Sequence, residues 1–298
     1  MNKQAILIMY HNDYYILEKL LKQIDNENFD IYLHVDKKTK NFDFTSTKKI
    51  LKKSNIYFTK RMNVKWSTFS QIKCELLLLK SAINQKYSYY HLISGNDLLI
   101  KPSNTIYSFF EKNQGKEFIA YQNITKDVPK SILERIEYYH LFNSYRRNNG
   151  NIIKKTLCIL YYRLISIQKK LKVNRLKNNH LKIKKGANWF SITDDLARYV
   201  LSKEKEINKM YHYTNCADEI FLQTLVYNSK FKDKIYHEYD DEHQNIKRHI
   251  DWNRGEPYIF TIDDCQELLN SPAFFARKFS SSKDRQIIDK IYQITTEK

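Results

Sequence analysis

The chain has 298 residues and a mass of 36.0 kDa, and 42% of it is hydrophobic, with 23 Tyr and 16 Phe; that much apolar surface offsets chain entropy and excludes wholesale disorder. Five Gly and four Pro are too few for a many-turned sandwich, a collagen or a glycine-cradled nucleotide site. Lys and Arg total 51 against 33 Asp and Glu, a net charge of +18 that suits a polyanionic partner: nucleic acid, anionic lipid or a diphosphate.

Gln4 to Tyr10 is a continuous apolar run ending in His11-Asn12-Asp13, which predicts a buried strand. From Tyr15 to Ile24 the spacing of Ile16, Leu17, Leu20, Leu21 and Ile24 predicts an amphipathic helix. Ile31 to Val35 is a second strand, which stops at Asp36. Strand, helix, strand in one short stretch predicts a parallel βαβ unit with a right-handed crossover. The pattern recurs in a short strand at Ile56 to Phe58, a helix at Gln71 to Ile83 and a strand at Tyr89 to Ile93. That last strand delivers Ser94-Gly95-Asn96-Asp97 to its carboxyl end, where ligands of open α/β sheets bind. A helix at Ile106 to Glu111 and a strand at Phe118 to Tyr121 continue an α/β alternation.

Between Tyr138 and Thr193 there are 13 Lys or Arg and no Asp or Glu. Within that window Ile152 to Val173 interleaves apolar residues with Lys and Arg, and Ile153, Leu157, Leu160, Tyr161 and Leu164 form a stripe at near-helical spacing. Two readings stay open: a helix packed by its apolar face with its lysines solvated, or a basic amphipathic helix lying on an anionic membrane surface. No reader motif for nucleic acid accompanies the charge. Gly186 to Thr193 reads as a strand; Asp194 to Ser202, Asp218 to Tyr227, Asp263 to Leu269 and Asp284 to Ile294 read as helices. With no linker in evidence, the expectation is one α/β domain over 1–298 with a basic helical insert at about 146–185. Cys74, Cys158, Cys216 and Cys265 show no CxxC spacing, so a reducing compartment is expected rather than a zinc site or a disulfide framework. The run Ala5 to Met9 is too short for a signal segment or a membrane span.

Asp218-Glu219 precedes a core-facing apolar run. A carboxylate there either complements a helix dipole or serves as a general base toward a hydroxyl nucleophile. In Phe274-Phe275-Ala276-Arg277-Lys278-Phe279 two cations stand among aromatic residues, where they either snorkel to solvent or neutralise a partly buried anion such as a diphosphate. Arg254 and Arg248 are candidates to add charge to the same pocket. No Asp-x-Asp occurs, the spacing with which many nucleotide-sugar sites hold a divalent cation, so protein cations would take that cation's place. Glu238-Tyr239-Asp240-Asp241-Glu242 reads as a solvated loop rather than a cation site. Trp66, Trp189 and Trp252 lie beside short polar residues at element ends and are either core residues or faces for a sugar or base ring. His11 and His34 read as structural.

Taken in order, IYLHVDKK (31–38), VKWSTFS (64–70), HLISGNDLLIKP (91–102), GANWFSIT (186–193), CADEIFLQTLVYNS (216–229), HIDW (249–252) and FFARKF (274–279) resemble one family. It is the core-2/I-branching β-1,6-N-acetylglucosaminyltransferases, glycosyltransferase family 14, which also includes peptide O-xylosyltransferases. The resemblance covers almost the whole chain. It implies a GT-A fold, an inverting reaction on a UDP-sugar and no metal requirement. It places Glu219 as catalytic base, Lys278 with Arg277 on the donor diphosphate, Asp36 at the uracil and Asp97 in the donor pocket. Arg254 is nearest to the family's second diphosphate arginine, and Trp189 lines the region between donor and acceptor, with Trp66, Asp218 and Trp252 assigned to the sugar or acceptor pocket. N-acetylglucosamine is the first choice of donor sugar and xylose the second. The expectation is a bacterial-type enzyme of surface-glycan assembly, cytoplasmic or peripheral on the inner face of the plasma membrane, with a glycan or lipid-linked glycan as acceptor. A basic, non-catalytic nucleic-acid-binding protein is the contrasting expectation.

Overall fold

The computed structural model describes residues 2–297 apart from 123–124, 147–150, 178 and 238–241, with 242 described in backbone only. In chain order the elements are β1 (Gln4–Tyr10), α1 (Tyr14–Gln23), β2 (Phe29–Val35), α2 (Phe44–Ile50), β3 (Asn55–Phe58), α3 (Ser70–Ala82), β4 (Tyr89–Ser94), β5 (Leu98–Leu99), α4 (Ser103–Lys112), β6 (Phe118–Ile119), α5 (Lys130–Glu137) and α6 (Ile152–Lys170). There follow β7 (Phe190–Thr193), α7 (Asp194–Ser202), α8 (Glu204–Tyr211), α9 (Phe221–Tyr227), α10 (Glu242–Asn245), β8 (Arg248–Ile250), α11 (Cys265–Asn270), β9 (Phe275–Arg277) and α12 (Gln286–Thr296).

Six strands form the central sheet in the order β3-β2-β1-β4-β7-β6. The four strands β3, β2, β1 and β4 pair in parallel, while β7 runs antiparallel to both β4 and β6. Side chains alternate across the pleat, so β1 sends Ala5 and Leu7 into one layer and Ile6, Ile8 and Tyr10 into the other. The first layer is closed by α3, α7, α8 and α9, the second by α1, α4 and α12. This is the mixed α/β fold, mostly parallel and flanked by helices, that the sequence pattern predicts and that the resemblance implies for a GT-A fold. A second sheet, β5-β9-β8, leaves the end of β4. Its antiparallel register sets Leu98 opposite Ala276, which brings the residues after β4 beside the end of β9.

Three expectations are corrected. Gly186 to Thr193 is strand only from Phe190; Gly186–Trp189 is an extended approach to it, pressed so closely on β6's continuation that a Cβ on Gly186 would sit 1.9 Å from the Ala120 carbonyl oxygen. The helix expected over Asp218 to Tyr227 is broken: Ala217–Glu219 is one 3₁₀ turn and α9 begins at Phe221. The interruption follows from Cys216 at φ 47° and from the Glu219 carbonyl, which accepts from the Gly186 amide (3.0 Å). In α6 the predicted stripe is divided. Tyr161 is buried and Leu157 and Leu164 half-buried, whereas Ile153 and Leu160 face solvent. Among the described residues no helix is long and apolar enough to cross a membrane.

Candidate active site

The carboxyl ends of the neighbouring parallel strands β2, β1 and β4 lie side by side, and the end of β9 is joined to that of β4. After β4, Gly95 packs under Tyr10, whose ring a Cβ there would meet at 2.5 Å, so only glycine lets the Ser94–Asp97 turn close. Within that turn the Asp97 carboxylate accepts from the Ser94 amide (2.8 Å) and hydroxyl (2.9 Å). It also accepts from Arg277 Nη1 (2.8 Å), which donates to Ser94 Oγ as well (2.8 Å). The Arg277 guanidinium lies 4.5 Å over the Trp189 ring, and Trp189 is buried beneath it. Three predicted residues, Asp97, Arg277 and Trp189, are thus one hydrogen-bonded and stacked unit.

Lys278 follows directly. Its ammonium has no hydrogen-bond or ion-pair partner among the described residues, and burial, then Arg277, lowers its pKa. The same two cations, after burial, hold His11 below its usual range, which sets His11 at the end of β1 beside Lys278. A half-buried, unpaired cation next to a paired one is a site with an unmet demand for negative charge.

Arg254 is placed otherwise than expected. It is ion-paired with Asp251, with Asp264 (2.6 Å) and with Glu267 (2.8 Å), so its charge is matched inside the 251–267 loop and adds nothing to the donor end. Arg248 is buried in the core rather than standing beside Lys278 as a donor-end charge. Trp252 stands half exposed on the loop after β8. Asp36 is almost fully buried, and its oxygens accept from the Lys38 and Val64 amides (2.8 and 3.1 Å). It ties the loop after β2 to the segment leading into Trp66.

Beyond the Gly186–Trp189 segment, Glu219 Oε2 accepts from Arg135 Nη1 (2.9 Å), with Lys185 Nζ at 3.6 Å, while Oε1 accepts nothing from the described residues. Asp218 points inward, and its Oδ2 accepts from Gln71 Nε2 (2.8 Å). Gln71 Oε1 in turn accepts from the Ser67 amide (2.6 Å). The Ser67 carbonyl accepts from the Cys216 amide (2.9 Å) and from Asn143 Nδ2 (2.6 Å). Trp66 projects from this junction half exposed, with the Arg146 guanidinium 5.5 Å over its ring. Gly186 bonds to Glu219, and Trp189 stacks on Arg277. The three intervening steps of chain span at most about 10 Å, so the turn that carries Glu219 and the cation pair at the end of β9 flank one short extended segment.

A sequence model of the family described as Core-2/I-Branching enzyme matches residues 5–269. The chain belongs to that family of glycosyltransferases. It is 24% identical over 302 residues to Xylosyltransferase sqv-6 of Caenorhabditis briggsae, an alignment that takes in 93% of this chain and 34% of that protein. It is 22% identical to Xylosyltransferase 2 of Rattus norvegicus, over 92% of this chain and 31% of that one. The chain therefore spans about a third of the length of the curated relatives it matches. Among solved structures it is similar to the apo form of mouse Xyloside xylosyltransferase 1, at a TM-score of 0.39 and 11% identity over 92% of this chain and 96% of that one.

Two features of this Core-2/I-branching chain escaped the sequence reading. Arg135, which orients Glu219, lies on α5, a helix announced only by Pro129 and by Ile132 and Ile136 four residues apart. Glu75, one turn beyond Gln71 on α3, is fully buried, and neither of its oxygens has a hydrogen-bond partner among the described residues. Burial first, then Asp218, pushes its carboxyl well above the usual range, which favours the neutral acid. Asp218 is itself pushed up to about 7, by burial and then by Glu219.

Both carboxyls are raised above their unfolded values near 4. Stability from this pair is therefore complete below about pH 4 and is lost as pH rises toward and through 7. Glu75→Gln removes one of the two titrations. The expected result is a fall in Tm between pH 5 and pH 8 that is smaller than in wild type by several degrees, at roughly 2–4 °C per kcal/mol. Equal pH slopes in thermal unfolding would show that Glu75 is already charged in the folded protein over this range, as it is in the unfolded chain.

Proposed function

We propose that the protein is an inverting glycosyltransferase that moves a sugar from a UDP-sugar to a hydroxyl of a glycan acceptor. The observation that carries this reading is that Glu219, with one oxygen that accepts nothing from the described residues, and Lys278, a cation with no partner among them, flank the same short Gly186–Trp189 segment. Glu219 takes the proton of the acceptor hydroxyl as that oxygen bonds to the anomeric carbon. The bond from that carbon to the diphosphate breaks, and UDP departs with its electron pair. Lys278, with Arg277 beside it, meets the charge growing on the leaving group without reorganising. Attack opposite the leaving group in one displacement gives inversion. Trp66, half exposed, offers an aromatic face to an acceptor ring, while Trp189 supports Arg277 from beneath. In this reading protein cations, not a divalent metal, face the diphosphate, in keeping with a sequence that lacks Asp-x-Asp; the cluster at 238–242 lies almost wholly outside the described residues. N-acetylglucosamine is the donor sugar we put first, from the resemblance. Xylose is the second, because relatives named above are xylosyltransferases.

The test is a panel of UDP-sugars scored for UDP release and thermal stabilisation with EDTA present. One donor is expected to stand well above the rest at an EDTA-insensitive rate. No stabilisation and no turnover with any donor would reject the reading; turnover lost to EDTA and restored by manganese would reject its metal-free form. A companion measurement isolates the donor end. Lys278→Ala is expected to weaken UDP binding by about 10–100-fold, the worth of one charge-assisted contact, and to leave uridine binding nearly unchanged. An equal loss for uridine would place Lys278 away from the diphosphate.

A further inference from the structure

Across its packed side α6 buries Tyr161, whose hydroxyl pairs with His140 Nδ1 (2.9 Å), and turns Leu157, Leu164 and Ile165 inward. Its opposite side is apolar as well. Ile152 and Ile153 are 81% and 67% exposed, and Ile159, Leu160 and Ile167 are exposed with them. At 100° per residue these five fall within an arc of about 120°. Arg163 and Lys170 project from the same arc and Lys155 from beside it, each exposed and without an ion-pair partner among the described residues. A solvated helical face does not gather aliphatic side chains in this way.

We propose that this outward face is a docking surface for an anionic lipid bilayer. Charge decides between the possible occupants. A second copy of the chain on the same face would set cations against cations, with no Asp or Glu between Tyr138 and Thr193 to offset them. A nucleic acid would satisfy the cations and leave five aliphatic residues in water. A bilayer with acidic headgroups satisfies both, with hydrocarbon for the isoleucines and phosphate for the cations. The surface also adjoins the candidate site. Cys158 Sγ on α6 donates to the Arg146 carbonyl (3.5 Å), Arg146 covers Trp66, and Asn143 holds the Ser67 carbonyl. Docking by α6 therefore sets Trp66 close to the headgroups. On the glycosyl-transfer reading given above, the acceptor is then a membrane-borne glycan.

The experiment is co-sedimentation of the full chain with phosphatidylcholine vesicles with and without phosphatidylglycerol. One variant carries Lys155→Gln, Arg163→Gln and Lys170→Gln, and a second carries Ile152→Asn, Ile159→Asn and Ile167→Asn. These six side chains are all exposed, so both variants should fold; circular dichroism and Tm verify this. Wild type is expected to bind only the anionic vesicles. The glutamine variant should lose about a hundredfold in partition, at about 1 kcal/mol per cation, and the asparagine variant should lose at least tenfold. Binding that ignores vesicle charge, or that is equal in all three proteins, would overturn the proposal. So would loss in the glutamine variant alone, which marks a patch for polyanions such as nucleic acid, or a dimer that the asparagine variant dissociates while no vesicle is bound. UDP release from the donor is followed in parallel on all three proteins. Vesicle binding by a wild type that turns over no donor would uphold the docking surface while rejecting the enzymatic reading.

Discussion

Glu219→Gln is expected to keep UDP binding and to lose transfer by about 10²–10⁴-fold, the range a positioned general base contributes. The amide preserves the shape of the carboxylate and can still accept from Arg135, so the 3₁₀ turn at Ala217–Glu219 and its bond to Gly186 should persist. What disappears is a basic oxygen on the open side of the side chain. If Glu219 acts only in the transition state, kcat and kcat/KM fall together while donor affinity stays. Transfer within about threefold of wild type would remove Glu219 from that role. Arg135→Met is the informative companion, because it frees Glu219 Oε2 and leaves the carboxylate chemically intact. A loss in this variant smaller than in Glu219→Gln is the signature of a positioning residue.

Arg248→Ala is expected to carry the largest stability loss, about 3–5 kcal/mol, read as a Tm lower by roughly 10 °C. The side chain is buried and has no carboxylate as an ion-pair partner among the described residues; burial lowers its pKa to about 9, against the opposing influence of Asp97. Instead it is a hub. It donates to Ser191 Oγ (2.9 Å) and to the carbonyls of Phe190 (2.7 Å), Leu92 (3.3 Å) and Ile246, and it lies 4.6 Å over the Phe275 ring. Those residues belong to or border β4, β7, β8 and β9, so one guanidinium joins the central sheet to the small sheet that carries Arg277. Alanine would leave several carbonyls without donors beside a cavity. Arg248→Met should lose less, since it fills the volume and removes a buried charge. A loss below about 1 kcal/mol in the alanine variant would mean that the carbonyls find other partners.

The parts of this protein written in local pattern were legible without a structure. The run Gln4–Tyr10, the helical spacing after Tyr15 and the strand that ends in Ser94-Gly95-Asn96-Asp97 announce themselves because periodicity and composition act over a few residues. The motif segments likewise named Glu219, Asp97, Arg277, Lys278 and Trp189 as site candidates, and the family match supports the resemblance that singled them out. The strands β5, β8 and β9, two or three residues each, were not legible. A three-residue strand has no measurable period and exists only because a neighbour supplies its hydrogen bonds.

Charged residues divide in the same way. From sequence alone, Arg248, Arg254 and Lys278 are three cations near one another in the last third of the chain, and nothing local separates them. Only the tertiary structure decides that Arg248 is a core clamp, that Arg254 is matched by three carboxylates and that Lys278 is left unpaired, because partnership depends on residues brought in from elsewhere in the chain. Glu75 makes the point most sharply. A glutamate on a helix reads as solvated, and its burial against Asp218, 143 positions later, is a property of packing. Composition settled in advance that the chain is basic, aromatic and able to form a core, since those quantities do not depend on conformation. Which side of α6 its aliphatic residues occupy depended on where Tyr161 found His140, and that contact exists only in the folded chain.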